Sequence, residues 1–195
     1  MTVKLNCSSS GSVALSAPAS TNSGADIVLN LPSDAGSLDR LERAGNILQV
    51  VTATTSTAVA NATATYEDTT LTANITPAST SNKILVMVMQ VCTMSQAAAS
   101  AGFGIRVLRD STVVYTPAAN TGPLPITKFL SLTGVTSTNS TSTENLSFVD
   151  SPSSTSALTY KTQGRPYAVG TAATFNITGS LDASTSTITL MEIAG

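Results

Sequence analysis

The sequence predicts an all-β protein in two parts. Residues 1–45 form an extended N-terminal stalk or attachment arm with one short helix, and residues 46–195 form an antiparallel β-sandwich of jelly-roll type. Three observations lead there. The chain has 32 Thr and 15 Val among 195 residues, and their branched Cβ atoms suit a pleated, half-buried surface better than a helix. Beyond residue 45, short apolar segments recur between Gly, Pro, Asn and Ser at the spacing of a sandwich, with no long run of helical period. Finally, Leu, Ile, Val and Phe number 17, 9, 15 and 4, or 45 of 195, at a net charge of −2. That is enough for a thin core, and it lacks the charge excess of disordered chains.

The arm comes first. Residues 3–5, 13–15 and 27–31 alternate apolar and polar side chains, so each is strand-like, but each offers only two or three apolar positions and cannot bury itself. "GSLDRLERAG" (36–45) then places four of the twenty charged residues within five positions. Ser37 is an N-cap, Gly45 a C′ residue, and Asp39 and Arg43 form an acid-first i,i+4 pair, which predicts a helix of about two turns. So short a helix is marginal alone. Leu38 and Leu41 share one face, and their cover is predicted to be the same helix in other copies of the chain, a trimer contact with charges fixing register around it. The alternative is a surface helix capping the chain's own domain.

Strands are predicted at 47–53, 71–75, 84–93, 103–108, 112–115, 126–132, 146–149, 158–162, 174–177 and 188–193. The run "KILVMVMQV" is apolar on both faces: Ile84, Val86 and Val88 on one, Leu85, Met87 and Met89 on the other. It needs cover twice, which predicts a central strand or a contact between subunits. By contrast, Phe103, Ile105 and Val107 alternate with Gly104 and Arg106, and Leu158 and Tyr160 with Thr159 and Lys161. Such strands have one wet face.

Residue types with chemistry are scarce. The chain has no His, which removes the commonest general base, the Ser-His triads and most zinc sites. Glu67 and Asp68 are adjacent, point apart on a strand, and read as a solvated turn rather than half of a glycosidase pair. Gly102 and Gly104 read as a strand of little bulk, not a dinucleotide fingerprint. Six N-x-[ST] triplets, at Asn6, Asn61, Asn74, Asn139, Asn145 and Asn176, carry little weight in a chain so rich in Ser and Thr. Cys7 and Cys92 have no metal or redox spacing and read as small buried hydrophobes. Nine Lys and Arg against eleven acids leave no footprint for nucleic acid. No run reaches a membrane span and the start lacks a secretion signal, so a soluble protein made in a cytosol is expected. No enzyme activity, cofactor or metal is expected.

Sugar binding is the exception. Tyr160 and Tyr167 flank "YKTQGRPY", which offers stacking faces together with donors. A turn at Gly164, Arg165 and Pro166 would set Arg165 and Tyr167 on an exposed tip, making them the candidate receptor contacts.

Two blocks carry a family resemblance: "GSVALSAPAST" with "IVLNLPSDAGSLDRLERAGNILQVV" (11–51), and "DSPSSTSALTYKTQ" with "STSTITLMEIAG" (150–163 and 184–195). They resemble tail-fibre-like virion proteins of bacteriophages from marine and freshwater bacteria. The resemblance implies a homotrimer assembled in the bacterial host cytoplasm and located in the virion. Its N-terminal part would join other virion proteins, a tail adaptor or nozzle or the capsid, and its outer domain would meet a host surface glycan. A capsid decoration protein or head fibre is the alternative. A fibre-borne depolymerase is weakest, because no acid and base pair stands out.

Overall fold

The computed structural model describes residues 43–63, 65–96, 100–118, 127–131, 138–167, 171–176 and 184–195. The strand-like bursts of the arm and most of the predicted helix, with Leu38 and Leu41, lie outside the described residues. Gly45 is inside them. It adopts φ +91°, the left-handed conformation a C′ glycine supplies, and Asn46 N donates to Arg43 O at 2.9 Å.

The described residues form no helix. They form eleven strands: β1 (Ile47–Thr55), β2 (Val59–Asn61), β3 (Glu67–Ile75), β4 (Lys83–Gln96), β5 (Ser100–Arg109), β6 (Thr112–Tyr115), β7 (Lys128–Ser131), β8 (Thr138–Asp150), β9 (Leu158–Pro166), β10 (Ala172–Phe175) and β11 (Ser186–Ile193). The ten predicted segments all have a counterpart. β2 was not expected, and β8 begins eight residues earlier than the predicted start at 146.

Every strand pairing among the described residues is antiparallel. In sheet I, β4 carries β8 along one edge, and β11 followed by β10 along the other. β1 lies beyond β11 and β2 beyond β10. In sheet II, β5 carries β9 along one edge, with β6 and β7 end to end along the other, and β3 lies beyond β9. Thus β1 with β2, β6 with β7, and β10 with β11 are each one broken strand. At the last break Asn176 N donates to Val91 O at 2.8 Å and Val91 N donates to Ser186 Oγ at 3.0 Å, so the β4 backbone stays paired across the gap.

The broken strands reduce the described residues to eight strand positions. Numbered along the sequence, sheet I has the order 1-8-3-6 and sheet II the order 2-7-4-5.

The core lies between the sheets. Ile84, Val86, Ile188 and Leu190 from sheet I meet Leu71, Phe103, Ile105, Val107 and Tyr160 from sheet II, all essentially fully buried. Phe103 and Phe175 cross edge to face at 6.1 Å. Phe175 also explains Gly164, where a Cβ would overlap its ring. Along the edge where β8 approaches β6 and β7, Tyr115 stacks on Phe148 at 5.2 Å. There Asp150 Oδ2 accepts from Arg109 Nη1 at 2.5 Å and from the Tyr160 hydroxyl at 2.6 Å.

Candidate functional site

Among the described residues, two outer faces and one end of the sandwich differ in chemistry. On the outer face of sheet II, polar side chains satisfy one another. Asp68 on β3 accepts from Lys161 Nζ at 2.7 Å and Gln163 Nε2 at 2.6 Å, both on β9. Gln163 Oε1 accepts from Arg106 Nε and Nη2 on β5, at 2.9 and 2.7 Å. The Tyr66 ring has two guanidinium neighbours, with Cζ of Arg106 4.3 Å and Cζ of Arg165 4.9 Å from its centroid, a cation–π pair on one aromatic. Burial alone would raise the Asp68 carboxyl, but donation from Lys161 and Gln163 and the charges of Lys161 and Arg106 outweigh it and hold the group below its ordinary value. Glu67, next in sequence, instead accepts from Thr63 Oγ1 at 2.9 Å. The two adjacent acids therefore serve different partners.

Arg165 does not stand on the exposed turn that its sequence neighbours predict. Gly164, Arg165 and Pro166 are the last residues of β9, not a turn, because they remain in register with Ile105, Gly104 and Phe103. Arg165 is 4% exposed. Its cross-strand neighbour Gly104 has no side chain, and Tyr66 packs on its guanidinium. Tyr66 was missed in the sequence, although it is the first aromatic of the chain and stands alone in the first 102 residues.

Tyr167 is half-buried at the end of sheet II. Its N–H donates to Gly102 O at 2.8 Å, and its ring meets Phe129 edge to face at 5.2 Å. Phe129, on β7, is 43% exposed. Gly102 permits this packing, since a Cβ there would lie 2.6 Å from Lys128 O and 3.3 Å from the Tyr167 Cβ. The expectation of a strand with little bulk at Gly102 holds for that reason. An aromatic pair with one open ring is the kind of platform on which a sugar face stacks.

The outer face of sheet I is the opposite of sheet II. Register puts Val50, Met191, Leu85 and Val149 in one row across all four strand positions. The next row is Thr52, Thr189, Met87 and Ser147, and the third is Thr54, Thr187, Met89 and Asn145. None of these twelve side chains is charged, and half are apolar. Val50 and Val149 are each 54% exposed, and Met87 and Met89 43% and 40%. A shallow depression of about 340 Å³ opens between Met87, Met89 and Asn145. β4 is thus central in its sheet, as its two-faced apolar pattern predicts, but among the described residues only its inner face is covered.

Two of the N-x-[ST] asparagines are internal: Asn61 is 1% and Asn176 0% exposed. Asn61 Nδ2 donates to Gly164 O at 3.0 Å and to Thr65 O at 2.9 Å. Cys92 is also buried, and loss of solvation with the nearby Glu144 charge pushes its thiol well above the ordinary range. Among the described residues no group of three or more acidic or Cys side chains is arranged to hold a metal ion. Among the described residues no helix is long and apolar enough to cross a membrane. Set against known proteins, the chain matches no family model and no curated relative.

Proposed function

We propose that the chain is a structural protein of a bacteriophage virion. In this reading it is a homotrimeric tail fibre whose sandwich is the outer domain and whose N-terminal arm joins other virion proteins. The observation that carries it is the strand order. Each strand position in the first half pairs with its counterpart counted back from the end, 1 with 8, 2 with 7, 3 with 6 and 4 with 5. That is a long antiparallel ribbon rolled into two sheets, a jelly roll, an architecture that viral capsid and lectin domains share. The uncharged outer face of sheet I supports assembly, because a partner can cover it without desolvating charge.

Host recognition in this reading belongs to the end of sheet II, where Phe129 and Tyr167 offer an aromatic platform to surface glycan. Weak single sites would gain from repetition on one particle. Tyr167→Ala is expected to weaken adsorption of the purified protein to host cells at least about tenfold while leaving its melting temperature within a few degrees. Unchanged adsorption would move the receptor contact elsewhere.

The same rolled ribbon suits a capsid decoration protein or head fibre. Imaging of intact particles carrying a labelled chain separates the two. A few copies at the tail are expected, whereas label spread over capsid faces or local symmetry axes would replace the fibre reading with the decoration one.

A further inference from the structure

We infer that the outer face of sheet I is where copies of this chain meet. The inference deepens the homotrimer reading by naming the contact surface, and it rests on that reading only for the number of copies. The first argument is charge. A face carrying one sign of charge repels a copy of itself, and a mixed face meets its copy in only some registers. The three rows from Val50 to Asn145 carry no charge at all, and Lys83 stands only at their rim. The second is hydrogen bonding. Hydroxyls donate and accept, so the threonine columns of β1 and β11 can pair with their own copy, as Thr52 Oγ1 and Thr189 Oγ1 already do within the sheet at 3.3 Å.

The third argument is size. Including the Ile193 and Lys83 row, the face spans about 26 Å along the strands and about 19 Å across four of them. Two copies would cover a flat footprint of about 1,000 Å², the lower bound of a specific interface before side-chain relief is added. Met87 lies near its centre and Met89 in its last row, and both line the depression. Unbranched, polarizable side chains adapt to whatever copy surface faces them.

The test is sedimentation of the full chain over a range of concentrations, with peroxide oxidation of the methionines as a second readout. The wild type should associate, and Met87 and Met89 should oxidise more slowly as concentration rises. Met87→Glu with Met89→Glu should raise the dissociation constant at least about 100-fold by burying unpaired charge. Met87→Leu with Met89→Leu should leave it unchanged. Circular dichroism melting of each variant checks that the sandwich persists, as exposed positions allow. If the Glu pair leaves a wild-type trimer intact, the contact lies elsewhere: the inference fails and the trimer reading stands. If the wild type is a dimer that the Glu pair splits, the inference stands and the trimer fails. A monomeric wild type overturns both. Protection of the methionines that does not change on dilution would then assign the cover to the chain's own N-terminal arm.

Discussion

Glu192 is 1% exposed, and among the described residues no cation holds it. Its carboxylate accepts from Asn82 Nδ2 at 2.6 Å, Gln49 Nε2 at 2.5 Å and Ala78 N at 2.7 Å. Burial would raise its pKa, but these three donors outweigh burial and hold it below the ordinary glutamate value. Nothing in "LMEIAG" marks Glu192 for the interior, since its partners come from β1 and from the β3–β4 connection. A carboxyl whose pKa is depressed by folding contributes stability above its unfolded value and loses that contribution as pH falls through the folded one. Glu192→Gln turns an amide toward donors and should cost about 2 kcal/mol at neutral pH. Between about pH 6 and pH 3, urea melts should show wild-type stability falling faster than that of Glu192→Gln, with Asp68 contributing in the same direction in both. Parallel curves would remove Glu192 from the acid response.

At the scale of elements, broken strands are the feature the sequence conceals. β2 has three residues with a single apolar side chain of any size, Val59, and no alternation to read. Its place is set instead by pairing with β10 and by Asn176 just beyond. Asn176 takes φ +56°. Its Nδ2 donates to Thr57 O at 3.2 Å and to Thr69 O, and its Oδ1 accepts from Gln90 Nε2 at 3.1 Å. One side chain thus ties the β1–β2 break to β3 and β4. Asn176→Ala should destabilise the sandwich by about 3 kcal/mol, from lost buried hydrogen bonds plus a strained left-handed backbone. Asn176→Gly keeps the backbone and should recover about 1 kcal/mol of that. Equal melts for the two would show the backbone term to be absent. β8 was foreshortened for a related reason: Thr138 to Asn145 carry no large apolar side chain, and only pairing with β4 along its whole length identifies them as strand.

For the whole molecule, the coverage of the faces is decisive. The predicted seam at Leu38 and Leu41 is a proposal about copies of the arm, and the face of sheet I is another about copies of the sandwich. Leu41→Asp should loosen a trimer in sedimentation by gathering carboxylates at the seam, and an unchanged trimer would leave the sandwich as the sole clamp. Folding should be slow, milliseconds to seconds in stopped-flow refolding, because position 1 pairs with position 8 across nearly the whole domain. The sequence by itself determined the all-β class, the ten larger strand segments, the two-faced nature of β4 and the small-residue requirement at Gly102. Each follows from local alternation, branching or bulk. Only the tertiary structure decided that Arg165 is enclosed under Tyr66, that Glu192 and Asn176 are internal, and that, among the described residues, sheet II pairs its polar side chains while sheet I leaves its apolar ones exposed. Those outcomes depend on which distant strands become neighbours, and antiparallel register sets that over separations of up to 146 residues, as between Ile47 and Ile193, beyond the reach of any local pattern.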